Sequence, residues 1–100
     1  MLEIKKEIEG ATVTLSLGGR VDVSSSAMLD EALQSLSADV ETVVLDAANL
    51  EYISSAGLRV LLRGAKKMRA QGALYTIRNM TPVVQDALEM TGMMALFDEE

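Results

Sequence analysis

The chain contains no histidine, no cysteine and no tryptophan, and only one proline, Pro82. The missing histidine and cysteine exclude Ser-His-Asp triads, cysteine nucleophiles, CxxC redox pairs, zinc fingers and disulfide scaffolds. No metal site and no cofactor is expected. A chain of 100 residues without cross-links must be held by its apolar core alone. Aromatic residues make up 3% and comprise Tyr52, Tyr75 and Phe97, too few for the stacking platforms that bind single-stranded nucleic acid. The longest unbroken apolar run covers residues 93–97, far short of the roughly 18–20 residues of a spanning helix. Near the N-terminus Lys5 and Lys6 are followed by Glu7 and Glu9 with no apolar stretch, so no signal peptide is expected.

Hydrophobic residues nonetheless make up 49%, which suits one packed core and argues against disorder. No linker, repeat or low-complexity tract interrupts the chain, and residues 1–100 read as a single domain. The net charge of −6 is unevenly spread. Residues 1–54 carry −7, residues 55–78 carry +6 with no acidic residue, and residues 79–100 carry −5. An acidic, cysteine-free chain is expected in the cytoplasm. Its net charge disfavours nucleic acid and anionic membrane as partners.

Hydrophobic periodicity places the elements. Leu2, Ile4 and Ile8 among charged residues suggest an edge strand, and Glu9-Gly10 a turn. Residues 11–17 alternate apolar and hydroxyl side chains, completing a hairpin with one buried face. Gly18-Gly19 is expected to end that strand. Residues 25–37 carry Met28, Leu29, Ala32, Leu33 and Leu36 at helical spacing behind three candidate N-cap serines. Thr42-Val43-Val44-Leu45 reads as a strand buried on both faces, ended by Asp46. Ser54 or Ser55 is expected to cap a helix running to about Ala70, with Leu58, Leu61, Leu62, Ala65 and Met68 buried and Gly72 beyond its end. Residues 73–78 read as a strand. Thr81-Pro82 reads as an N-cap and first position of a last helix, to Met90. Residues 93–97 are expected as a short strand or turn, and Asp98-Glu99-Glu100 as a frayed tail.

The resulting order, β-β-α-β-α-β-α, implies an α/β fold with a mixed sheet. Right-handed crossovers would make the second, third and fourth strands parallel. Three loops, 18–24, 47–55 and 79–81, are then expected at one sheet edge, where sites in open α/β sheets form.

At that edge Ser54 and Ser55 lead directly into a helix. Serines there are most often caps. The same position tolerates a phosphate, because the first turn has unpaired N–H groups and the positive end of the helix dipole. At 100° per residue, Ser55, Arg59, Arg63 and Lys66 share the side opposite the apolar stripe. An enzyme would have to use Asp22, Asp46 or Glu51, whose spacing demands no chemistry. Gly18-Gly19 lacks the GxxxxGK[ST] pattern of a phosphate-binding loop.

Ile53-Ser54-Ser55-Ala56-Gly57-Leu58-Arg59-Val60-Leu61-Leu62 resembles the signature loop and helix of the STAS domain family, in particular the bacterial anti-sigma factor antagonists. Leu45-Asp46-Ala47-Ala48-Asn49-Leu50, Gly19-Arg20-Val21-Asp22 and Thr91-Gly92-Met93 with Phe97 resemble further family segments, in the family's order. The resemblance implies a STAS-type mixed sheet with an N-terminal hairpin and helices packed mainly on one face. It also implies a non-enzymatic partner switch. An unphosphorylated antagonist binds an anti-sigma factor that is itself a serine kinase, releasing a sigma factor; phosphorylation ends the binding and a serine phosphatase restores it. By position the phosphoacceptor falls on Ser55, within a loop of Ser54, Ala56 and Gly57. Ser54 replaces the family's aspartate and Ala56 its second Ser/Thr. Asp22, Arg20, Arg59 and Arg63 are the expected partner contacts, with Asp22 equally suited to capping the 24–26 turn. A monomer or weak homodimer is expected. The alternative is a fixed, non-phosphorylated adaptor or scaffold subunit of a stress-signalling complex or a lipid-transport ABC system.

Overall fold

Strict alternation in the first two apolar runs produces a hairpin, β1 (Leu2–Glu9) antiparallel to β2 (Thr12–Val21). The computed structural model describes residues 1–99. After the hairpin come α1 (Ser26–Gln34), β3 (Thr42–Ile53), α2 (Ser55–Ala70), β4 (Leu74–Arg78), α3 (Pro82–Met90) and a 3-10 turn (Met93–Leu96). The sheet order is β1-β2-β3-β4, with β2, β3 and β4 mutually parallel. The element order and the mixed sheet are those the periodicity implied.

Two strands run further than the sequence suggested. β2 passes through Gly18-Gly19 to Val21, and β3 passes through Asp46 to Ile53. The register between them shifts twice, with the extra residue on β3 each time: Ser16 pairs with Asp46 but Gly18 with Asn49, and Gly19 with Leu50 but Arg20 with Tyr52. These are bulges, not strand ends. Gly19 has φ +90°, and a side chain there would run into the Met1 carbonyl. Asp46 braces the first irregularity by accepting the Ala48 N–H at 3.1 Å. The bulges also explain the burial pattern. Val43, Leu45 and Ala47 are buried at a spacing of two, then Leu50 and Ile53 at a spacing of three.

The helices cover one sheet face, and one continuous core lies between, built on Leu15, Leu45, Leu29, Leu61, Met68 and Leu88. On the other face Glu3, Lys5, Glu7, Thr12, Thr14 and Ser16 remain accessible in shallow grooves. α1 is shorter than the expected 25–37. Neither Ser25 nor Thr81 caps its helix with a side-chain bond. The Thr81 hydroxyl instead donates to the Leu50 carbonyl at 2.8 Å, pinning α3 to β3. The buried arc of α2 is turned toward α1, so Val60 and Gly64 join Leu58, Leu61, Ala65 and Met68 while Leu62 is half-buried. The tail is not wholly frayed. Asp98 closes the outer edge of β4, donating its N–H to the Tyr75 carbonyl at 2.8 Å and accepting the Tyr75 N–H at 2.9 Å. Glu100 lies outside the described residues.

Gly64 sits under Tyr75, whose hydroxyl donates to the Leu61 carbonyl at 3.0 Å. A Cβ at Gly64 would lie 2.7 Å from that hydroxyl and 2.9 Å from Leu33 Cδ1. Gly64→Ala gains up to about 1 kcal/mol of helix propensity but overpacks a rigid contact at about 1–3 kcal/mol. The steric term is expected to win. Urea unfolding should show a lower midpoint with an unchanged m-value.

Candidate functional site

Only Ser54 stands between β3 and α2. Its backbone is extended (φ −88°, ψ 174°), and its N–H continues the ladder to the Val21 carbonyl at 2.8 Å. Its hydroxyl accepts the Gly57 N–H at 3.2 Å, the N-cap of α2. The two serines therefore divide. Ser54 is half-buried and structural; Ser55 is the first helical residue, exposed and free of capping duty. A Cβ at Gly57 would lie 2.7 Å from both Ile53 Cγ1 and Val21 Cγ1, so the helix can start this close only with glycine there. Ala56 is half-buried beside it.

Beside the junction lies the β2–α1 turn. Asp22 Oδ1 accepts from the Ser24 N–H (3.0 Å), the Ser24 hydroxyl (2.7 Å), the Ser25 N–H (3.0 Å) and the Ser25 hydroxyl (3.0 Å). Ser25, 8% exposed, also accepts the Asp22 N–H. Hydrogen bonds from the Ser24 and Ser25 side chains, then from their N–H groups, hold the Asp22 carboxyl at about 2, below its ordinary value. Asp22 thus caps its turn, one residue from the Val21 carbonyl that binds Ser54. Val23 at the tip of this turn is 80% exposed, and Met28 in α1 is 48% exposed. Val23 carried no signal in the sequence, and Met28, expected there in the apolar stripe of the helix, lies at its solvent edge instead. The spacing of Asp22 and Ser24 was the readable sign of the clasp.

The arginines have separate fates. Arg20 lies over the Tyr52 ring, 4.3 Å from its centroid. Arg59 is exposed one turn after Ser55. Arg63 pairs through its Nε with Asp30 of α1 at 3.1 Å while its side chain stays 60% exposed. Lys66 is exposed on the same side. Only two of the three expected loops meet at Ser55. Segment 47–53 is strand, and β4 stops pairing at Arg78, opposite Asp46, so Asn79–Thr81 joins β3 at Leu50. Asp46 and Glu51 line the open sheet face and do not share a site with Asp22. Burial raises the Asp46 carboxyl, but bonds from Ala48 and Asn79 and the Arg78 charge outweigh it, leaving it below its ordinary value. Among the described residues no cluster of three or more His, Cys, Asp or Glu could hold a metal ion. Nor is any helix among them long and apolar enough to cross a membrane.

A family model described as "Mlab, STAS domain" matches residues 4–98. BtrV of Bordetella bronchiseptica is 37% identical over 79 residues, 75% of this chain and 68% of that protein. An anti-sigma F factor antagonist of Paenibacillus polymyxa is 30% identical over 106 aligned positions, covering 99% of this chain and 89% of its own length. An anti-sigma factor antagonist from Mycobacterium paratuberculosis superposes with TM-score 0.81 at 22% identity, over 97% of this chain and 83% of that one. The fold also matches part of Mglu at TM-score 0.71 and 26% identity, over 79% of this chain but only 20% of that longer one.

Two outcomes follow from the clasp and the cap. Because the folded Asp22 carboxyl is held at about 2, below the unfolded value near 3.9, its stabilising contribution is complete above about pH 4 and is lost as pH falls toward 2. Asp22→Asn keeps an acceptor but cannot titrate. Its unfolding midpoint in urea should fall less between those pH values than that of the parent chain. Ser54→Ala should cost about 1 kcal/mol of stability through the lost cap, read by the same measurement at neutral pH.

Proposed function

The chain belongs to the STAS domain family, and from that premise we propose that it is a cytoplasmic anti-sigma factor antagonist controlled by phosphorylation of Ser55. In this reading it is a binding protein and not an enzyme. Its partner is an anti-sigma factor with serine kinase activity, and binding frees a sigma factor. Transfer of the γ-phosphoryl group of ATP to the Ser55 hydroxyl, with loss of its proton and departure of ADP, ends the complex. A serine phosphatase restores it. The domain works alone or as a weak homodimer, without nucleic acid or membrane.

The observation that carries this is the division of labour at the junction. Ser54 supplies the cap, so the exposed Ser55 hydroxyl can be modified without removing a native hydrogen bond. A phosphate there gains the helix dipole and the Arg59 guanidinium one turn away. It also adds about two negative charges to a rim formed by the Asp22 clasp, exposed Val23, Met28 and Arg20. That rim is the partner surface. The names of the Bordetella and Paenibacillus relatives support the same role.

A second reading, a fixed adaptor that never carries phosphate, is favoured by Ser54. It stands uncharged where the family carries an aspartate beside the acceptor, and Ala56 removes the neighbouring hydroxyl.

Incubation with ATP and each serine kinase of the same genome, followed by mass spectrometry, decides between them. Phosphate on Ser55, lost in Ser55→Ala and kept in Ser54→Ala, is the expected result. The phosphorylated form should bind the anti-sigma partner at least about tenfold more weakly, roughly 1.4 kcal/mol, while keeping its amide NMR dispersion. Tight binding to a partner with no phosphate under any condition would establish the adaptor instead.

A further inference from the structure

All-parallel sheets are normally covered on both faces, and three of the four strands here are mutually parallel. Here α1, α2 and α3 lie on one face, and the opposite face of β1–β4 is bare. Two adjoining shallow grooves run across it, sharing Glu7 and Ser16. Their floor is low, because β2 offers mostly small side chains there, Thr12, Thr14, Ser16 and the two glycines Gly18 and Gly19, with Leu17. Their charge is acidic. Glu3, Glu7, Glu9 and Glu51 line them, Arg78 is neutralised by Asp46 at 3.5 Å, and Lys5 is the remaining cation.

The opposite side of the molecule has the complementary charge. α2 exposes Arg59 and Lys66, with Arg69 exposed further on beside the β4 edge, and its segment holds no acidic residue. The spacings agree. Arg59 to Lys66 spans about 10 Å at 1.5 Å per helical residue, which fits within the roughly 14 Å from Glu3 to Glu7 at 3.4 Å per strand residue. A helix is also the element that a bare sheet of this kind lacks.

We propose that the bare sheet face is a docking surface for α2 of a second copy of this chain. The contact is heterologous, since helix and face lie on opposite sides. Each added copy leaves one free face and one free helix, so assemblies lengthen with concentration. Four strands at about 4.8 Å spacing offer a face about 19 Å wide, so the acidic stretch about 14 Å long covers about 270 Å², below the roughly 800 Å² per partner of a stable complex. Each copy also carries −6 overall. Association is therefore weak and sensitive to salt. The proposal does not depend on phosphorylation of Ser55.

The test combines sedimentation velocity with amide NMR shifts from about 20 µM to about 1 mM protein, at about 50 mM and about 500 mM salt. Concentration-dependent shifts on α2 and on the bare face, fading at high salt, are expected. Glu7→Lys and Lys66→Glu, both at exposed positions and checked for folding by circular dichroism, should each weaken self-association about tenfold or more. The mixture is the sharper readout. In the mixture the helix of the Glu7→Lys chain meets the intact face of the Lys66→Glu chain, and the two reversed positions also attract each other, so the mixture should regain the concentration-dependent assembly that each variant alone has lost. A monomer at every concentration, association indifferent to both reversals, or shifts confined to the outer edge of β1 or to the hollow beside Ile8 would overturn the proposal.

Discussion

The turn from strand to helix within one residue constrains everything at the upper edge of the sheet. Ser54 ends the β2–β3 ladder with its N–H and starts α2 with its hydroxyl. So short a turn drives the first helical turn against the strand ends, and only a residue without a side chain fits between Ile53 and Val21. Gly57 meets that demand. Its close approach fixes the start of α2, which fixes Ser55 facing solvent and the apolar arc of α2 facing α1 and the sheet. The same Val21 that Gly57 touches precedes Asp22. The clasp and the exposed serine are thus parts of one rigid rim.

Much of this was legible in the sequence, because it rests on local rules. The hairpin follows from alternation, α2 and α3 from caps and periodicity, and the parallel strands from the handedness of crossovers. What the sequence hid are long-range effects. β3 runs on past Asp46, where the sequence suggests an end, and its burial spacing of two gives way to three at Ala47, Leu50 and Ile53. That change follows from a register with β2 that no local pattern encodes. Helix periodicity put Arg63 on the solvent side correctly but could not reveal that Asp30 waits there on α1. Asp22 had two equal readings, and the structure resolves its contacts as a turn clasp. Thr81 and Ser25 look like caps, yet the Thr81 hydroxyl serves a tertiary partner, the Leu50 carbonyl, and the Ser25 hydroxyl turns back into the Asp22 clasp.

The uneven charge of the chain acquires a geometry. Of the six cations in residues 55–78, Arg78 pairs with Asp46, Arg63 with Asp30, and Lys67 donates to the Leu36 carbonyl at 2.9 Å. These exposed pairs contribute little stability, about 0–1 kcal/mol each. Among the described residues they leave Arg59, Lys66, Lys67 and Arg69 without a carboxylate partner, on the face of α2 that is turned from the core. The acidic residues of β1 lie across the sheet from that face.

The size of the local terms decides how a phosphate at Ser55 would act. Attraction to the helix dipole is about 0.3–1 kcal/mol, and a pair with Arg59 one turn on adds about 0.2–0.5 kcal/mol. Both are small against the 5–15 kcal/mol that holds a typical domain, and neither requires a native bond to break, because the cap belongs to Ser54. The fold would be left as it is. At an interface the balance differs, since a like charge brought against a partner's acidic group costs several kcal/mol. The family aspartate at position 54 would put a second charge beside the phosphate. Ser54 takes that charge away and keeps the cap, so at this junction the electrostatic contrast between the two states rests on Ser55 alone.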